Sequence, residues 1–242
     1  MLRDFVCGQA VGELADRTLP SVGKSRVIVD RTMNAVIGIL AVAVVAWFAV
    51  GSIRNIGRGR ALMRWMQGGL SLFGERTTVR WLGSTAVELV IREAKAPFAA
   101  VTLILFFEAR DLPWMWAIGR LYGRRDTLIL RGDLRDAPTI NFEALDVGSW
   151  SGREASRRIP ANWLLHQVGQ RGALSMRFAD AATLPRASAL VSLAQRGASE
   201  VFRLSVRTTA PHLQLHLGLP DRRKSAREFF QCLQLVAEGA AG

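Results

Sequence analysis

Cysteine is scarce in this chain of 242 residues: Cys7 and Cys232, near opposite ends, are the only two. That count excludes a disulfide framework and every zinc- or haem-binding cysteine spacing. Histidine is almost as rare, with His166, His212 and His216. His212 and His216 alternate with Leu213, Leu215 and Leu217, which puts them on a strand ~13 Å apart at a rise of ~3.3 Å per residue. Two ligands that far apart cannot share one zinc. Lysine is limited to Lys24, Lys95 and Lys224, so 29 of the 32 basic residues are arginine. The phosphate-loop pattern GxxxxGK[ST] is missing, and the basic, glycine-bearing stretches 54–60 and 119–126 do not have its spacing. In residues 148–152, GSWSG, both serines stand off the centre of a Gly-x-Ser-x-Gly elbow. No cofactor, metal or catalytic set is expected, and an enzyme would need a site of unfamiliar pattern.

Charge is missing from residues 32–53, TMNAVIGILAVAVVAWFAVGSI. At ~1.5 Å rise per residue the run reaches ~33 Å, the thickness of a hydrocarbon core. A signal peptide has an apolar region of about 7–15 residues behind a short basic start. Here some thirty mixed residues come first, so the run is expected to stay in the membrane as a single-pass anchor. Arg54, Arg58, Arg60 and Arg64 follow with no acid before Glu75, whereas the upstream Arg17, Lys24, Arg26 and Arg31 are diluted by Asp16 and Asp30. The positive-inside rule then gives an inner-membrane protein with its N-terminus outside and its large C-terminal domain cytoplasmic. Gly38, Ala41, Ala46 and Ala49 offer small surfaces for another helix. The stricter small-xxx-small spacing is absent, because Val42 and Val50 occupy the fourth positions.

Residues 1–31 form an N-terminal tail in which Phe5, Val6, Val11 and Leu14 share a loose helical face before Pro20. Residues 54–74 are a juxtamembrane amphipathic segment. Its arginines and Trp65 suit the headgroup layer, and an apolar stripe packed on the soluble domain would read the same way. Residues 75–242 read as one β-rich domain. Period-two alternation marks 79–93, with a break at Gly83-Ser84, and later Leu174, Met176, Phe178 and Phe202, Leu204, Val206. Residues 98–107 are apolar on both faces, as in mid-sheet. Residues 127–131 and 139–145 flank GDLRDAP as a hairpin, with Ile140 and Phe142 inward and Asn141 and Glu143 outward. Ser225 and Glu228 have capping-box spacing ahead of Phe229, Phe230, Leu233, Val236 and Ala237, and Gly239 ends that helix. The fold class is α+β, with a mostly antiparallel sheet closed by a C-terminal amphipathic helix. In element order it resembles pleckstrin-homology-like barrels.

Hydrophobic residues make up 50% of the chain and mean hydropathy is +0.17, both raised by the apolar run. The net charge of +12 fits either arginine-rich base composition or phosphate binding. Residues 111–125, DLPWMWAIGRLYGRR, interleave Trp114, Trp116 and Tyr122 with Arg120, Arg124 and Arg125, a pattern suited to an anionic membrane surface and equally to aromatic plugs under a short helix. Nucleic acid is the competing partner for the charge, without a recognition motif. The sequence therefore predicts a membrane-anchored, non-catalytic interaction protein. It would serve as an accessory subunit among other membrane proteins or as an adaptor facing anionic lipids. The chain is expected to remain in the membrane pellet after alkaline carbonate washing and to retain residues before Gly51; release into the wash would refute the anchor.

Overall fold

The structure, a computed structural model, describes residues 22–168 and 174–242. The tail helix expected within residues 1–20 lies outside them. The chain divides into two compact units, Met1–Ala46 and Trp47–Gly242. Helix α1, Val22–Leu70, is continuous over 49 residues. Within the first unit its apolar side chains from Met33 to Val45 stand exposed. Among the described residues it is the one helix long and apolar enough to cross a membrane.

The part of α1 in the second unit has a different character. Gly51, Asn55, Gly59, Leu62, Met66 and Gly69 are buried, at steps of four, four, three, four and three, while Arg54, Arg60 and Arg64 stay exposed. This is the stripe of a helix packed on a domain. Two glycines make the approach possible. A Cβ at Gly51 would lie 2.4 Å from the Arg110 carbonyl oxygen, and one at Gly59 would lie 2.7 Å from the Trp81 ring. Within the second unit the segment 54–70 contributes Leu62 and Met66 to the buried core.

Nine strands follow: β1 (Thr78–Trp81), β2 (Ala86–Ile91), β3 (Phe98–Phe106), β4 (Thr127–Leu134), β5 (Phe142–Leu145), β6 (Leu164–Val168), β7 (Leu174–Phe178), β8 (Val201–Val206) and β9 (Leu213–Gly218). They form one sheet in the order β1-β2-β3-β4-β9-β8-β5-β7-β6, and every neighbouring pair is antiparallel. The sheet is open, with β1 and β6 at its edges, so it does not close as a pleckstrin-homology-like barrel does. Helices α2 (Pro113–Leu121), α3 (Trp150–Ser156), α4 (Leu184–Gly197) and α5 (Ala226–Ala241) complete the unit.

Alternation decides which face of the sheet is the core. Val101, Leu103 and Leu105 of β3, Leu128 and Leu130 of β4, and Leu213, Leu215 and Leu217 of β9 join Leu62 and Met66 of α1, Leu190 and Val191 of α4, and Phe230 and Leu233 of α5 in one buried cluster. Phe73, just past α1, meets Phe98 and Phe230 with ring centroids 5.0 Å apart in both pairs. Such tilted pairs add about 0.5–1.5 kcal/mol each beyond their buried area. Ser225 caps α5, its hydroxyl accepting the Glu228 amide at 3.4 Å.

Three expectations are corrected. Residues 127–131 and 139–145 do not pair as a hairpin, because β4 is flanked by β3 and β9 and β5 by β7 and β8. Glu143 is not outward in water: it lies fully buried on the second face of the sheet. Gly239 does not end α5, which runs on to Ala241. Gly51→Val is expected to cost about 1–3 kcal/mol, the usual range for overpacking, and to lower the thermal midpoint of the detergent-solubilised chain. Gly57→Ala, whose Cβ would meet nothing within 4 Å, should leave that midpoint unchanged.

Candidate functional site

The second face of the sheet carries the polar chemistry, and the chain between β3 and β4 builds a site over it. Residues 108–111 run against α1. The Trp47 indole N–H donates to the Arg110 carbonyl at 3.0 Å, and the buried Asn55 side chain donates to the Glu108 carbonyl at 3.0 Å. The carboxylates here are shared among arginines. Asp126 accepts from Arg110 through both oxygens at 2.9 Å and pairs with Arg58 at 2.9 Å. Glu108, buried, accepts the Trp116 indole N–H at 2.6 Å and pairs with Arg110 at 3.3 Å and Arg120 at 3.4 Å. α1, β4 and α2 are thereby tied through two carboxylates.

Pro113 opens α2 at a position where its missing N–H costs nothing. Beyond its end, Gly123 turns the chain with φ +72°, a left-handed conformation that other residues rarely adopt. Trp116 and Gly119 face the domain, half-buried. Trp114, Met115, Ile118, Leu121 and Tyr122 form an exposed apolar face, Leu121 at 86%.

Between α2, the sheet and the start of α3 lies a cavity of about 430 Å³. Phe106, Ile129, Trp116, Trp150 and Phe202 supply its apolar walls, and Arg120, Arg124 and Arg125 also border it. The Arg124 guanidinium stacks on the Trp150 ring, 4.6 Å from its centroid, and has no carboxylate partner among the described residues. Arg125 donates to the Arg120 and Arg124 carbonyls at 3.2 and 2.8 Å. His216 and Ser151 line the cavity as well. The Ser151 hydroxyl is hydrogen-bonded to His216 Nδ1, while buried His216 Nε2 has no partner among the described residues. Burial, joined by the positive charges of Arg203 and Arg131, pushes His216 down to about 3. An imidazole so reluctant to accept a proton is a poor general base at neutral pH.

Beside the cavity, Glu143 forms a second buried ionic cluster. Arg203 grips its two oxygens at 2.9 and 2.8 Å, Ser205 donates at 2.8 Å and Arg207 at 2.7 Å. Burial alone would raise this carboxyl, but the donors and the guanidinium charge hold it below its ordinary value. Among the described residues, no group of three or more His, Cys, Asp or Glu is placed to hold a metal ion. His212 instead accepts the Leu134 amide at 3.0 Å.

The residues expected at a membrane surface are distributed by this geometry. Arg54, Arg60 and Arg64 are exposed on α1, and Arg58 is committed to Asp126. Trp65 packs on Phe229 and donates to the Lys224 carbonyl at 2.8 Å. Trp114 and Tyr122 are exposed, whereas Trp116 and Arg120 serve Glu108. Gly38, Ala41, Ala46 and Ala49 are all exposed on α1. Sequence reasoning missed the Ser151–His216 contact and the Glu143 clamp, since their partners lie 65 and about 60 residues apart. The chain matches no protein-family model, and no curated protein matches it.

The His216 shift sets a pH dependence. The unfolded chain takes up a proton near 6.5, the folded one only near 3, so stability falls as pH drops through that window. Between pH 6.5 and 5 the loss is expected to be about 1.5 kcal/mol. Glu143 contributes only below its ordinary 4.5 and stays out of that interval. Urea midpoints of the solubilised chain at the two pH values measure it, and His216→Gln should flatten the difference.

Proposed function

We propose that this is a single-pass membrane protein whose β-rich domain works by contact, resting α2 on the lipid surface as a lipid-facing adaptor. One observation carries the reading: Trp47, inside the apolar run, donates its indole N–H to the Arg110 carbonyl, three residues before α2 begins. At ~1.5 Å rise per residue, Trp47 to Ile53 is the last ~9 Å of that run, so residues 110–113 lie level with its end. Phe48, Val50 and Ile53 are exposed there, as is Leu82 in the β1–β2 turn; the same turn's Ser84 donates to Asp111 at 2.8 Å. The start of α2 is thereby held within three residues of a contact with the end of the apolar run.

Several further features support the reading. Only 6% of the most apolar window of α1 is buried, whereas a soluble core helix hides its apolar face. A contiguous exposed face of Trp, Met, Ile, Leu and Tyr is the mark of an interaction surface, and Trp and Tyr favour the membrane–water boundary. Arg54, Arg60 and Arg64 follow the run on the exposed side of α1 and favour a cytoplasmic position for the domain. The exposed small residues Gly38, Ala41, Ala46 and Ala49 leave room for a neighbouring helix, which would make the adaptor part of a larger membrane assembly.

A fluorophore on Leu121→Cys, in a full-length chain with Cys7 and Cys232 changed to Ser, tests the contact. In nanodiscs, nitroxide lipids labelled near the headgroup should quench it several-fold more than the same dye at Gln67→Cys, exposed on α1 and ~21 Å beyond Ile53 along the helix. Equal quenching at the two positions would reject α2 as the lipid-contacting element.

A further inference from the structure

We propose that the cavity beneath α2 binds a single-chain anionic lipid, with the acyl chain against its aromatic walls and the carboxylate or phosphate at its arginines. The inference deepens the lipid-facing reading, which supplies the reservoir from which such a molecule would come.

The cavity has the size of a small-molecule site: about 430 Å³, within the usual span of roughly 300–1,000 Å³. Its walls are mostly apolar, with Phe106, Trp150 and Phe202 among them, which suits hydrocarbon. Its charge is one-sided. Three guanidinium groups border it against one carboxylate, Glu108, and Glu108 already accepts from Trp116 and two arginines. Arg124 is the free one: stacked on Trp150, it keeps its N–H donors available, and a carboxylate or phosphate matches that planar fork. Met115 both lines the cavity and is exposed on the outer face of α2, joining the interior to the surface proposed to meet the membrane. A fatty acid and a lysophospholipid share this chemistry.

Full-length protein in amphipol, without a bilayer, should be exposed to photoactivatable palmitate, lysophosphatidate or the corresponding uncharged alcohol, and the crosslinked peptides mapped. Labelling is expected on peptides carrying Phe106, Ile129 or Phe202 with at least one acid, and about tenfold less with the alcohol, the worth of one charge-assisted contact. Palmitate alone would identify a fatty acid, and lysophosphatidate alone a phospholipid. Gly119→Trp, which fills the cavity from a half-exposed helix, should abolish the labelling, and Arg124→Glu should reduce it about tenfold. Equal labelling by the alcohol, labelling only within residues 32–53, or labelling indifferent to Arg124→Glu would overturn the proposal. Should Gly119→Trp fail to fold, Arg124→Glu, at an exposed position, still decides it. Because no bilayer is present, failure here is separate from failure of α2 to touch lipid.

Discussion

The domain depends on how closely one helix can approach one strand end. Along α1, Gly51 lets the backbone at Arg110 and Asp111 come to rest against the helix, and Gly59 does the same for the Trp81 and Phe107 rings. Asn55 fills the gap between the two glycines and gives the Glu108 carbonyl a second donor at 3.0 Å, beside the Arg110 amide at 2.7 Å. Once residues 108–111 are fixed there, Glu108 and Arg110 are fixed with them. Their ion pairs hold α2 through Trp116 and Arg120 and hold the start of β4 through Asp126. The cavity lies beneath the helix that these contacts position.

The two ionic clusters of the second face have different characters. Around Glu143, Arg203, Arg207 and Ser205 occupy the carboxylate from several directions, and the Arg207 guanidinium is stacked on Trp163, 4.7 Å from the ring centroid. That arrangement is saturated and therefore structural. Around the cavity the balance is incomplete: Arg124, at its border, has no carboxylate partner among the described residues.

Local periodicity was legible in the sequence. The alternations at Leu174 to Phe178, Phe202 to Val206 and Leu213 to Leu217 became β7, β8 and β9, and the Ser225 cap opened α5 where its spacing said it would. Sheet order was not legible, because it depends on which distant strand wins each edge: β5 looked like the partner of β4 and instead joined β7 and β8. Two helices escaped for local reasons. α3 spans only Trp150–Ser156. The run Leu184–Gly197 of α4 carries a buried stripe of Ala187, Leu190, Val191 and Ala194 diluted by serine, arginine and glycine. The aromatic content of α2 fitted plugs under a short helix as well as a membrane-facing surface, and spacing alone did not separate the two. The glycine–asparagine stripe of α1 was readable in spacing, but its meaning came only from the backbone it faces.

Arginine's predominance over lysine acquires a different meaning at the Glu143 clamp. A guanidinium reaches both oxygens of one carboxylate from a single rigid plane, using Nε and Nη2, whereas an ammonium is a point charge that meets one. Whatever mutational drift made arginine abundant in this chain, at Arg203 the residue is no longer interchangeable. A drift toward lysine codons could recolour the solvent-facing positions freely and would stall at this one.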